Sequence, residues 1–168
     1  MRGNFEPVAW KRLICNNPSP PKCIFIGWLV VLRRLATRDR LLKIGIACDP
    51  VCCLWEQEHE DIDHLFFDCS WSAAIWNRVL AWVGLDRHAC RWDDELDFVV
   101  SFAAGNLAEH QVYRLALFTT VYFVWRARNQ KKFQTRIPDS AILFKEIQLV
   151  VFSRCFMLKK LRKTSHEL

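Results

Sequence analysis

The sequence predicts a mainly α-helical bundle interrupted by one irregular loop that carries cysteine and histidine. Three observations lead there. Apolar residues recur at helical spacing in most segments, and no stretch alternates as a half-buried strand does. The 8 tryptophans among 168 residues suit helices packed through large side chains. With 52% hydrophobic and 25% charged residues, the chain can bury one sizeable core.

Taken in order, the segment Pro7 to Cys15 places Trp10, Leu13 and Ile14 at helical spacing and stops at a proline-rich turn, Asn16 to Pro21. Ser19 before Pro20-Pro21 opens a second helix, and Cys23 to Leu35 is apolar almost all round, as a core helix is. Thr37 caps a short third helix that turns Leu41, Leu42 and Ile44 inward and ends near Gly45. Residues 48 to 63 are polar, acidic and without a period, so they read as a loop. Helical spacing returns from Ser70 with Trp71, Ile75, Val79, Leu80 and Val83, and ends at Gly84. Asp86 to Asp97 reads as a polar connector anchored by Trp92. Leu107 to Phe133 is the longest helical stretch, and the turn Ile137 to Ser140 ends it. A last helix from Ala141 to about Lys163 is expected to bury Ile142, Phe144, Ile147, Val150 and Val151. The organisation expected is a domain over residues 1–90 and a helical basic region over residues 91–168.

The net charge of +6 is unevenly spread. Residues 1–47 hold nine Lys/Arg against two Asp/Glu, residues 48–125 four against thirteen, and residues 126–168 eleven against three. Contact with an acidic polymer, RNA or DNA, is therefore expected at the basic ends. The residues expected to neutralise phosphates are Arg33, Arg34, Arg38 and Arg40 on one side and Arg126, Arg128, Lys131 and Lys132 on the other. Trp28 and Trp125, near those clusters, are candidates for stacking on unpaired bases. No apolar run reaches the length of a membrane span, and residues 1–11 lack the pattern of a secretory signal. The expectation is a nuclear or cytoplasmic protein, not secreted, with neither a membrane nor a small-molecule substrate as partner.

In a reducing compartment eight cysteines are buried thiols or metal ligands rather than disulfides. Cys15, Cys23, Cys90 and Cys155 lie among apolar neighbours and read as packing residues. The string Cys52-Cys53-Leu54-Trp55, then His64-Leu65-Phe66-Phe67-Asp68-Cys69, is different. Its second half has the shape of a zinc half-site at a loop-to-helix junction, so the loop is zinc-knuckle-like, with Cys52, His64 and Cys69 as ligands. A knuckle wants C-x2-C in the first half, but Trp55 stands three residues after Cys52, and indole cannot ligate. Cys48, Cys53 and His59 are the donors near enough in sequence to be the fourth ligand. His59-Glu60 followed by His64 is not the metalloprotease pair, because histidines five apart do not share a helix face. No nucleophile elbow or glycine-rich phosphate loop is present, and the chain is expected not to be an enzyme.

The spacing Trp10…Pro21-Lys22…Phe25…Trp28…Leu35-x-Thr37-x-Asp39-Arg40-Leu41, then Cys52…His64-Leu65-Phe66-Phe67-x-Cys69…Ile75-Trp76, resembles the zinc-binding domain that follows the polymerase in plant LINE-type (non-LTR) retrotransposon reverse transcriptases. Val121 to Phe133 is similar to the Tyr-x-x-Trp-x-x-Arg-Asn-x-x-x-Phe stretch that follows in the same polyproteins. The resemblance implies Cys, Cys, His and Cys ligands, carried here by Cys52, His64 and Cys69, with Trp55 at the second cysteine position. It implies zinc as cofactor and a non-catalytic module that seats RNA or nicked DNA, either intact or as a degenerate fragment. The alternative is a metal-free helical packing or protein-interaction domain.

Overall fold

The computed structural model describes residues 11–15, 17–103, 105, 107–134 and 139–164, with backbone alone at 11, 12 and 159–164. Among the described residues there are seven α-helices and no strand: α1 (Lys11–Ile14), α2 (Pro21–Val31), α3 (Arg38–Lys43), α4 (Ser70–Trp82), α5 (Trp92–Phe102), α6 (Ala108–Gln134) and α7 (Ser140–Thr164). A single π turn, His64–Asp68, precedes α4. The expected helical architecture is therefore present; the start of the first expected helix, with Trp10, lies outside the described residues, as does the turn at 137–138.

Local chemistry explains most boundaries. Pro21 occupies the first turn of α2, where its missing N–H costs nothing. Gly45 and Gly84, at φ +83 and +82, stand just past α3 and α4 in the left-handed conformation that favours glycine. The cap of α3 is not the expected one. The Thr37 hydroxyl bonds Asp39 Oδ1 at 2.6 Å instead of a helix N–H. The Arg38 N–H donates to the Glu60 carboxylate at 3.0 Å and the Asp39 N–H to the Glu60 carbonyl at 3.1 Å, so a distant residue caps the helix.

α6 is the central helix, packed against α2, α4 and α7. Its approach to α2 is close because residue 27 is glycine: a methyl group there would collide with the Phe118 ring. The core is aromatic. Trp76 and Trp92 are buried with Phe66, Phe118 and Tyr113, and the Phe67 and Trp92 rings stack with centroids 5.7 Å apart.

Three expectations are corrected. Residues 92–97, read as part of a connector, belong to a helix that runs on to Phe102. Its acidic first turn, Asp93, Asp94 and Glu95, suits the positive helix N-terminus, and Glu95 points inward to accept from Trp76 Nε1 at 3.0 Å and Tyr113 Oη at 2.8 Å. On α7 the buried residues are Leu143, Ile147 and Val151, one per turn, which rotates Ile142 into solvent. Of the four cysteines read as packing residues, only Cys23 is buried; burial pushes its thiol up to about 11, while Cys15 is exposed and Cys90 and Cys155 are partly covered.

Candidate metal centre

The irregular loop is a folded hairpin. Val51 and His59 form a bridge, the Cys52 N–H donates to the Glu58 carbonyl at 2.7 Å, and the Glu60 N–H donates to the Pro50 carbonyl at 2.9 Å. At its tip the Glu56 N–H reaches back to the Cys52 carbonyl at 2.8 Å, and Glu56 has φ +56, a conformation glycine adopts more readily. Cys52 thus sits at the root of a tight turn and Trp55 at its tip, 43% exposed.

The second half is set by the π turn. Five residues along an α-helix, side chains point roughly 140° apart. Here the Cys69 N–H donates to the His64 carbonyl at 2.7 Å, an i to i+5 bond that widens the turn and brings both side chains to one side. Asp61 starts this turn, its Oδ1 accepting from the His64 N–H at 2.8 Å. Phe66 and Phe67 fix it by packing on Trp92 and Trp76. Cys69 is the residue preceding α4, and its sulfur accepts from the Ser72 and Trp71 N–H groups.

These elements bring Cys52, His64 and Cys69 together, all buried, with donor atoms within 4.8 Å of one another. Tetrahedral zinc, with Zn–S about 2.3 Å and Zn–N about 2.0 Å, separates its donors by roughly 3.5–3.8 Å, so a contraction of about 1 Å suffices. His64 Nε2 is buried with no nitrogen or oxygen partner, and the ring's remaining polar neighbour is the Cys52 sulfur, a donor that can share a metal ion with it. Its other nitrogen, Nδ1, lies 3.2 Å from Glu58 Oε2. A tautomer that donates from Nδ1 turns the Nε2 lone pair toward the sulfurs, the arrangement in which imidazole binds metal. The residues present fit a zinc ion.

The electrostatics agree with a pair of thiols sharing one proton. A hydrogen bond from Cys52, helped by the N–H groups of Ser72 and Trp71, lowers the Cys69 thiol to about 6 against its burial. The same contact with Cys69, together with burial, pushes the Cys52 thiol up. The Cys52 sulfur beside the His64 imidazole holds that ring above its ordinary value, although burial opposes this.

The three sequence candidates for a fourth ligand lie elsewhere. The Cys48 thiol donates to the Arg38 carbonyl at 3.7 Å, the Cys53 thiol to the Arg128 carbonyl at 3.7 Å, and His59 is exposed.

The basic residues are mostly engaged within the protein. Arg128 is buried and grips the equally buried Glu60, with Nη2 2.6 Å from Oε1. Arg38 hydrogen-bonds the Asp49 carbonyl at 2.7 Å and lies 3.8 Å from Glu60, so the structure brings Arg38 and Arg128 to one carboxylate. Arg33 pairs with Asp63 at 3.1 Å and Asp93 at 2.8 Å, which holds its guanidinium pKa up. Arg126 pairs with Glu146, Arg40 donates to the Arg33 carbonyl at 3.2 Å, and Lys131 lies 3.9 Å from Glu56. Arg34 and Lys132 are exposed. Trp28 is half-exposed beside Phe25, with ring centroids 6.3 Å apart, whereas Trp125 lies partly covered under the Arg128 guanidinium.

Sequence reading did not single out Glu58 or mark Glu60 as more than part of a rejected motif, and nothing in the string distinguishes these two acids from their exposed neighbours.

The helical frame and the converging Cys2His set form a candidate metal-binding region. Residues 1–76, which include all three donors, match the family described as zinc-binding in reverse transcriptase, in agreement with the reverse-transcriptase zinc-binding part of the resemblance. No curated protein and no solved structure matches the chain. Among the described residues no helix is long and apolar enough to cross a membrane.

Proposed function

We propose that this chain is the zinc-binding, non-catalytic module of a LINE-type retrotransposon reverse transcriptase of the plant kind, and that it holds RNA or DNA by its phosphates. The observation that carries the reading is the convergence of Cys52, His64 and Cys69 on one buried point within the segment matched by the family. Zinc bound there supplies charge neutralisation for two thiolates and a rigid cross-link between the hairpin and the start of α4.

Phosphate contact belongs first to the exposed cations, Arg34 and Lys132, with Arg33, Arg40, Arg126 and Lys131 reaching out from their surface ion pairs. Arg38 and Arg128 support the surface from within. Phe25 and Trp28 offer a stacking face on α2 for an unpaired base. Binding of this kind is steeply salt-dependent and indifferent to sequence, because phosphate contacts position without specifying.

The experiment is elemental analysis of the purified chain alongside salt-dependent binding to single-stranded RNA. About one zinc per chain, lost in His64→Ala, together with binding that falls linearly in log–log salt, supports the module. Absence of both in the folded protein supports the second reading, a metal-free helical packing domain, which the exposed Trp55 at the second cysteine position favours.

A further inference from the structure

We propose that the Cys52–His64–Cys69 centre binds its metal through three protein donors and keeps the fourth coordination position for an exchangeable small ligand, water or a small anion. Glu58 is the positioning residue that aims His64 at the ion. The inference rests on the zinc reading above and extends it to the kind of site.

The donor count comes first. Zinc in a closed structural site takes four protein ligands, and a site with three keeps a position open. Among the described residues, three ligand atoms converge. Cys48 and Cys53 are turned away onto the carbonyls of Arg38 and Arg128, and His59 is exposed on the strand-like edge that pairs with Val51. Trp55, at the tip of the hairpin, contributes a side chain without a lone pair for metal.

Burial then limits what the fourth ligand is. Cys52 and Cys69 are fully buried and His64 is 5% exposed. At that depth the fourth ligand is a water or a small linear anion rather than a long side chain from a partner. Two thiolates already neutralise a divalent ion, so a neutral water is an adequate resident and a small anion a competent competitor.

Glu58 serves both halves of the site. Its backbone carbonyl accepts from the Cys52 N–H at 2.7 Å, and its side-chain Oε2 lies 3.2 Å from His64 Nδ1. The side chain is otherwise 69% exposed. Metal-bound imidazoles commonly donate their second N–H to a carboxylate, and loss of that partner lowers metal affinity by roughly 10- to 100-fold.

The test loads the full chain with cobalt(II) under anaerobic, thiol-free conditions and follows the visible bands, which report coordination, during titration with azide. The expected result is one cobalt per chain, a saturable azide-dependent change in the wild type, and no such change in Trp55→Cys, where a third thiolate fills the position. Glu58→Gln should bind cobalt roughly 10- to 100-fold more weakly with unchanged helicity, and Glu58→Asp should recover part of the loss. Cobalt bound with bands indifferent to azide in the wild type overturns the open position. Equal affinity in Glu58→Gln overturns the positioning role. No cobalt uptake by the folded wild type, with uptake by Trp55→Cys, overturns the zinc reading itself and this inference with it.

Discussion

Arg128→Met tests whether the arginine at the end of α6 holds the fold or faces a phosphate. In the structure its Nη2 and Nε lie 2.6 and 3.1 Å from Glu60 Oε1, Glu60 is 0% exposed and Arg128 2%. Removing one partner of a buried pair leaves a charge out of water without compensation, at a cost of about 3–5 kcal/mol. The Arg38 N–H and guanidinium still touch that carboxylate, which places the expected loss at the lower end. In a chain of this size it corresponds to a fall in Tm of roughly 6–12 °C. Urea unfolding followed by tryptophan fluorescence measures it, and the Glu60→Met/Arg128→Met double variant isolates the pair. The double variant should lose less than the sum of the singles, because it buries no orphan charge. A loss under about 1 kcal/mol, typical of an exposed pair, would refute the reasoning. So would an unchanged stability accompanied by a drop of roughly 0.7 in the salt slope of single-stranded RNA binding, which would make Arg128 a phosphate contact.

Arg34→Ala and Lys132→Ala should each leave stability within about 0.5 kcal/mol and lower the log–log salt slope for single-stranded RNA by roughly 0.7; unchanged slopes would exclude these two residues from the interface. Gly27→Ala should cost about 1–3 kcal/mol by overpacking against Phe118, measured by denaturant midpoint, and Gly27→Ala/Phe118→Leu should recover part of it. Glu95→Ala should destabilise more than Glu95→Gln, since glutamine still accepts from Trp76 or Tyr113; equal losses would mean that the charge, balanced by Arg87 at 2.8 Å, is the larger contribution. The folded Cys69 thiol sits near 6, below its unfolded value. Its contribution to metal-free stability is therefore complete above the ordinary thiol range and is lost as pH falls toward and through about 6. Comparison of wild type with Cys69→Ser across pH 5–9 should show the advantage of the wild type shrinking toward acid, and a constant difference would contradict the shared-proton arrangement.

Much of this was legible in the residues because periodicity and caps are local. The apolar run from Cys23 and the glycines that end α3 and α4 each declare themselves within a few positions. So did Cys52, His64 and Cys69, because ligand chemistry restricts the residue types. What escaped reading depends on contacts distant in sequence. α5 hid behind its acids, one of which turns inward to a tryptophan and a tyrosine from two other helices. The basic clusters looked alike as strings, yet Arg128 meets a carboxylate 68 residues away whereas Lys132, four positions on, meets solvent. Charge counts cannot separate these cases, since partner and exposure are properties of the packed chain.

The Glu60 carboxylate receives the backbone of α3, the Arg128 guanidinium of α6 and the weaker approach of Arg38, while its own backbone closes the hairpin. The hairpin is thereby moored to two helices through one buried carboxylate. None of these contacts passes through Cys52, His64 or Cys69, so the attachment of the hairpin to α3 and α6 is independent of the three donors it carries.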